Sequence, residues 1–276
     1  MRIFGIDFTS RPTMRKPITC AACRLTDDRL VFETLEPFAD FAGFEAWLSR
    51  PGPWVAGLDF PFAQARRFVV NAGWPGDWAG HVAHAADMGR SGFRAALEAY
   101  KAPRPAGDRQ HARGRERQIG AASPQTLYGV PVALMFFEGA PRLLQAGVHL
   151  PGLHPGDRGR TCIEAYPGVL ARALLAAAGQ PGPYKSEARA AQDDGHQRRR
   201  RALLTALCGP AGQTRMGLRV EADPALCDDP TGDRLDALLC AVQAARALRL
   251  GHTDSGPPWA DPLEGWIADP AAEPEQ

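Results

Sequence analysis

The sequence predicts a mixed α/β fold in one large domain, and three observations carry that expectation. Arg2 to Ile6, Pro17 to Leu25 and Leu30 to Leu35 have strand patterns separated by polar turns, which makes an N-terminal three-strand meander. Trp54 to Leu58 is apolar throughout, the pattern of a strand buried on both faces. Helical periodicity dominates after that, with one more strand pattern at Arg160 to Tyr166. The 276 residues are enough for a substantial core.

Taken in order, the first strand ends at Asp7, and Thr9, Ser10 and Arg11 follow before Pro12 stops it. Thr26-Asp27-Asp28-Arg29 is the turn between the second and third strands. Asp40 to Ser49 read as a helix with Phe41, Phe44, Trp47 and Leu48 on one face, broken by Pro51-Gly52-Pro53. The central strand ends at Asp59. Ala63 to Tyr100 is helical but interrupted, and Val132 to Gln145 is a further helix. Between them, Lys101 to Thr126 has no periodicity. It carries Lys101, Arg104, Arg109, Arg113, Arg115 and Arg117 against Asp108 and Glu116, and reads as a long basic loop. Residues 63–158 are thus expected to form a helical and basic-loop insertion within a domain spanning 1–250. Helices are expected from Val169 to Ala178, from Ser186 to Leu207, and from about Pro230, capped by Asp229, to Leu250. The Pro-rich tail, 251–276, holds Trp259 and Trp266 and is expected to pack on the body.

Composition narrows the class without choosing a function. Apolar residues make up 45% and charged residues 23%, an ordinary globular balance, and the net charge of +1 gives no vote for or against nucleic acid. No apolar run reaches bilayer-spanning length, and the chain opens directly into a strand, so a soluble cytoplasmic protein with no membrane role is expected. Cys20 and Cys23 form a C-x-x-C, but in a strand they point to opposite faces, which argues against a metal or redox pair. His81, His84 and His111 read as surface histidines. Of the four arginines Arg198 to Arg201, one is expected to pair with an acid such as Asp193 or Asp194.

The carboxylates are more informative. Asp7, Asp59 and Glu164 fall at or near strand ends, and Asp233 and Asp236 lie three apart on one face of the last helix. In an open α/β sheet, ligands bind beyond the carboxyl ends of the strands. Any one of these acids could be a turn residue or half of an ion pair. Together at one edge they would repel one another strongly, and a divalent cation would remove that cost. Hard oxygen donors favour Mg²⁺ or Mn²⁺. The candidate metal ligands are Asp7, Glu164 and Asp236, with Asp59 and Asp233 assisting. Thr9, Ser10, Arg11 and Lys185 are candidate phosphate contacts near them. Arg109, Arg113 and Arg115 are candidates from the basic loop, which lacks interleaved aromatics for base stacking.

The order of Gly-Ile-Asp-Phe-Thr-Ser, Gly-Leu-Asp-Phe-Pro-Phe, Glu-Ala-Tyr-Pro-Gly, Tyr184-Lys185 and Asp-x-x-Asp-Ala resembles the domain of unknown function 429 family. That family is regarded as predicted nucleases of the ribonuclease H-like superfamily, and the resemblance spans roughly Met1 to Leu250. It implies a ribonuclease H-like mixed five-stranded sheet, three antiparallel strands followed by parallel ones, flanked by helices. It also implies a metal-dependent nuclease or phosphodiesterase acting on nucleic acid or another phosphodiester, with Asp7 as the first metal ligand and Asp59 or Glu164 as the middle acid. Asp233 and Asp236 resemble the helix-start pair of Holliday-junction resolvases. Two alternatives stay open. One is phosphoryl transfer on the related actin-like fold, although Asp59-Phe60-Pro61 stands where Asp-x-Gly would be needed. The other is a nucleic-acid or protein-binding module without chemistry.

Overall fold

The computed structural model describes residues 1–186 and 192–268. Seven strands form one mixed sheet: β1 (Arg2–Asp7), β2 (Ile18–Thr26), β3 (Arg29–Phe38), β4 (Trp54–Leu58), β5 (Val148–His149), β6 (Asp157–Glu164) and β7 (Arg219–Glu221). Their order is β5-β6-β4-β1-β2-β3-β7. The meander β1-β2-β3 is antiparallel, whereas β4 and β6 run parallel to β1. The sheet has two strands more than the five expected. The extra strands, β5 and β7, are edge pieces of two and three residues, too short to show alternation in sequence.

Helices cover both faces: α1 (Phe41–Leu48), α2 (Arg66–Asn71), α3 (Trp78–Asp87), α4 (Gly89–Lys101), α5 (Gly114–Ile119), α6 (Val132–Ala146), α7 (Pro167–Ala177), α8 (Asp194–Cys208), α9 (Pro210–Met216), α10 (Asp233–Arg249) and α11 (His252–Ser255). Strand alternation divides the core between them. Phe4, Ile6, Ala56, Leu58 and Cys162 face one way, into an aromatic-rich layer with Phe44, Trp47, Phe93 and Phe136. Ile3, Val55 and Ile163 face the other way, against Leu170, Leu174, Leu203 and the apolar side of α10. No helix of the described residues is long and apolar enough to cross a membrane.

The packing of α10 sets the geometry of the site. Gly5 and Gly57 are paired in register on β1 and β4. A Cβ at Gly5 would overlap the Ala237 carbonyl oxygen, and one at Gly57 the Cys240 carbonyl oxygen. The two glycines therefore let the helix backbone rest directly on the sheet, with Ala237, Cys240, Ala241 and Ala244 completing the contact. The helix begins at Asp233 rather than near Pro230, because Gly232 takes a left-handed conformation just before it (φ 79°). Asp229 still serves the start: its carboxylate accepts from Thr231 N at 3.0 Å and Arg234 N at 3.1 Å.

Three further differences have local causes. The basic loop is partly ordered by a 3₁₀ turn at Ala106–Asp108 and by α5. The helix expected from Ser186 runs Asp194–Cys208, capped by Asp193 (residues 187–191 lie outside the described residues). The tail reaches the body through Trp266, whose Nε1 donates to Pro151 O at 2.7 Å, and through Ala268 N, which donates to Glu164 O at 2.9 Å. Residues 269–276 of the tail lie outside the described residues.

Candidate active site

The ends of β1 and β4 place two acids side by side. Asp59 N donates to Ile6 O at 2.9 Å, continuing the β1–β4 pairing past its last register pair, so Asp59 lies beside Asp7. Alternation puts Asp7 on the face of Ile3 and Gly5, and Asp59 on the face of Val55 and Gly57. That is the face on which α10 rests, and the close approach of the helix brings Asp233 and Asp236 to the same place. Asp7, Asp59, Asp233 and Asp236 line a cleft of about 670 Å³, together with Thr9, Ser10, Lys16 and Lys185.

The charges in this cleft are poorly balanced. Burial raises the Asp7 carboxyl well above its ordinary pKa, and Asp233, Asp236 and Asp59 add repulsion. Burial and then Asp236 push Asp59 up to about 8. Asp233 is raised as well, chiefly by burial. Among the described residues, no hydrogen-bond donor reaches the carboxylates of Asp7 or Asp59. The Lys185 ammonium is the main counter-charge: it pairs with Asp236 Oδ2 and acts favourably on Asp7, Asp59 and Asp233. Burial works against the charged lysine, but Asp236, Tyr184 and Asp7 outweigh it and hold its pKa above the ordinary value. Tyr184 Oη donates to Asp236 Oδ1, so both oxygens of Asp236 are engaged. Lys185, a candidate phosphate contact from sequence, has Asp236 as its partner.

Glu164 lines the same cleft and adds to the repulsion on Asp59, but its hydrogen bonds belong to a different network. In the β4–β6 register it opposes Leu58, whose side chain lies in the other core layer. Its Oε2 accepts from Phe62 N at 2.9 Å and from Arg113 Nη1 at 2.7 Å, and its Oε1 accepts from Arg113 Nη2. Arg113 is 3% exposed and also holds Glu116, with Nε to Oε1 at 2.8 Å. A fourth bond from the side chain runs from Arg113 Nη1 to Glu264 O at 2.9 Å. Burial disfavours the guanidinium charge, but Glu116 and Glu164 more than compensate. The expected metal ligand Glu164 is therefore neutralised by an arginine, and the expected phosphate contact Arg113 is a buried ion-pair partner.

Thr9 and Ser10 line the cleft, whereas Arg11 is exposed outside its lining, with its N–H donating to Thr9 Oγ1 at 3.4 Å. Arg109 is exposed, and its Nε donates to Arg104 O at 3.0 Å. The side chain of Arg115 lies outside the described residues. His81 is buried rather than on the surface, and burial lowers its pKa to about 4. Arg200 is buried and donates to the carbonyls of Cys227 and Tyr184 rather than to Asp193 or Asp194. Cys20 and Cys23 are buried free thiols. Among the described residues, no three His, Cys, Asp or Glu side chains are arranged to hold a metal ion as they stand. Sequence reasoning missed Lys16 and Tyr128 in the cleft lining, and the α6 and α7 starts, where Val132 and Gly168 meet it. Strand parity was the signal that could have separated Glu164 from Asp7 and Asp59.

The fold and cleft together define a mixed α/β protein with an acidic site at the carboxyl edge of its sheet. The chain matches the model of the family described as protein of unknown function (DUF429) over residues 5–261, and it belongs to that family. Comparison with curated proteins and with solved structures gives no match.

Proposed function

We propose that the protein is a Mg²⁺- or Mn²⁺-dependent phosphodiesterase of ribonuclease H-like type, acting on nucleic acid. The observation that carries the reading is the convergence of Asp7, Asp59, Asp233 and Asp236 in one cleft, with raised pKa values for the first three and Lys185 as their main counter-charge. The meander of three antiparallel strands followed by parallel β4 and β6 supports the fold half of the proposal.

The residues fit a hard divalent cation through the donor set of Asp7, which is buried, and Asp59, which is half-buried; both lack hydrogen-bond donors among the described residues. Asp233 and Asp236 would complete it once the Lys185 ammonium, which now stands against Asp236, gives way. Asp59 rather than Glu164 is then the middle acid. A bound cation would supply activation of water and neutralisation of charge on the phosphate being cleaved. The protein's own residues do the rest. Thr9 and Ser10 offer polar groups to a phosphate at the mouth of the first strand. Two helices, α6 and α7, begin at the cleft wall, and their positive dipole ends favour an anionic substrate. Tyr184 and Arg113 hold Asp236 and the far wall in place.

The test is cleavage of single-stranded, duplex and branched nucleic acids with Mg²⁺, with Mn²⁺ and with EDTA. Cleavage is expected only with a metal, and Asp7→Asn and Asp59→Asn are each expected to reduce it at least 100-fold. Cleavage that survives both substitutions would overturn the site. A second reading, a binding module without chemistry, is favoured by the ion pairs that already engage Asp236 and Glu164. Nucleic-acid binding with no cleavage under any metal would support it. Phosphoryl transfer has less support: after β4, Pro61 stands where a phosphate loop would need glycine, and Phe60 before it packs on Phe8 at 4.6 Å between ring centroids.

A further inference from the structure

Beside the acidic cleft lies a second open groove of about 910 Å³. Arg94 and Lys101 of α4 and Arg109, just beyond the 3₁₀ turn, supply three cations to its lining, and Glu98 supplies one acid. Lys101 is anchored by its bond to Gln125 O at 2.9 Å, which fixes that wall. Tyr128 lines both the groove and the acidic cleft. The residue is 71% exposed, and its hydroxyl reaches Gln110 Oε1 at 3.4 Å. On the cleft side of the ring, Val130, Val132 and Met135 form an apolar wall leading inward. A basic trough, an exposed aromatic face and a recess floored by carboxylates therefore follow one another.

We propose that this groove is the track for a single-stranded nucleic acid, with Tyr128 as a base-stacking platform that hands the next phosphodiester to the acidic cleft. The inference rests on the phosphodiesterase reading of that cleft and specifies its substrate. Charge complementarity selects a polyanion for the groove. The exposed ring selects an unpaired one, because a duplex base already has both faces covered by its neighbours, whereas a single-strand base offers a free π-face of any sequence. The sequence suggested a basic loop with no stacking platform. The platform comes from Tyr128, just past the end of that loop, and two of the three cations come from α4.

The test is fluorescence anisotropy on the full chain in EDTA, where no metal supports cleavage, with a labelled deoxythymidine 12-mer and its duplex with deoxyadenosine 12-mer. The single strand is expected to bind at least tenfold tighter than the duplex. Tyr128→Ala should weaken single-strand binding by about tenfold, while Tyr128→Phe should keep it. Arg94→Gln with Arg109→Gln should reduce the slope of log affinity against log salt by about 1.4, roughly 0.7 for each phosphate that is no longer neutralised. If Tyr128→Ala folds poorly, Tyr128→Leu takes its place: it keeps the bulk, lacks the aromatic face and must lose affinity. Duplex binding equal to or tighter than single-strand binding overturns the proposal, as does unchanged affinity in the Ala and Leu variants. The two readings fail separately. Strand binding in EDTA without cleavage in Mg²⁺ keeps the track and removes the phosphodiesterase. Cleavage with binding unaltered at Tyr128 does the reverse.

Discussion

At the scale of single residues, the decisive contrast is between two acids that look alike in sequence. Asp59 and Glu164 both stand at the carboxyl end of a parallel strand, yet they differ by one step in register. Asp59 follows Gly57 on the α10 face, and Glu164 opposes Leu58 on the other. Glu164 then meets Arg113, a buried cation that also holds Glu116. Removing that cation leaves two buried carboxylates uncompensated. Arg113→Met is therefore expected to destabilise the fold by about 3–5 kcal/mol, read from urea unfolding. Asp59→Asn should do the opposite in metal-free protein. It removes a carboxyl whose ionisation the fold opposes through burial and then Asp236, so its urea midpoint should match or exceed that of the wild type while cleavage is lost. A loss of stability in Asp59→Asn of the size seen for Arg113→Met would show that Asp59 has a structural partner and is not held in reserve for a ligand.

At the scale of elements, the contact between α10 and the sheet decides where the acids meet. Gly57→Ala places a methyl group into the Cys240 carbonyl, and Gly5→Ala does the same to Ala237. Neither neighbour is a flexible side-chain tip, so the helix must lift. Each substitution is expected to cost about 3 kcal/mol or more, measured by thermal unfolding, and to reduce metal-dependent activity in the folded fraction because Asp236 moves with the helix. Wild-type activity in a folded Gly57→Ala protein would show that helix placement does not set the site. The sequence announced this helix well: a run from about Pro230 to Leu250 was expected, with Asp233 and Asp236 on one face. The long strands were legible for the same reason, since each carries enough alternating or apolar residues to show its period. What could not be read was set by non-local partners. The edge strands β5 and β7 exist because β6 and β3 offer open edges to pair with. The role of Arg113 depends on a fold that brings it 51 residues along the chain to Glu164. A charge in a polar stretch looks the same in sequence whether it ends in solvent or in a buried pair.

At the scale of the whole molecule, the acid cluster makes stability depend on pH and on cations in a linked way. Asp59 has a folded-state pKa of about 8 against an ordinary carboxylate value near 4 in the unfolded chain. Between those values the folded protein holds a proton that the unfolded protein releases. The favourable contribution is therefore complete below about pH 4, falls as pH rises, and is gone above about pH 8, with a slope of at most about 1.4 kcal/mol per pH unit for one such group. Asp7 and Asp233 are shifted in the same direction and act with the same sign. Surface acids such as Asp28 and Asp157, which are lowered by hydrogen bonds to Arg219 and Arg160, lose their contribution only as pH falls below the ordinary carboxylate range, so the two effects occupy different windows. In EDTA, urea unfolding is expected to show lower stability at pH 8 than at pH 5, and Asp7→Asn with Asp59→Asn should flatten that difference. A divalent cation bound as proposed would compete with those protons for the same oxygens. Mg²⁺ at a hundredfold excess over its dissociation constant should restore about 2.7 kcal/mol at pH 8. It should restore less at pH 5 and release protons on binding, which is measurable by calorimetry in two buffers of different ionisation enthalpy. Equal stabilisation by Mg²⁺ in the double Asn variant would place the cation elsewhere, and the four acids would then be a cluster held in check chiefly by Lys185.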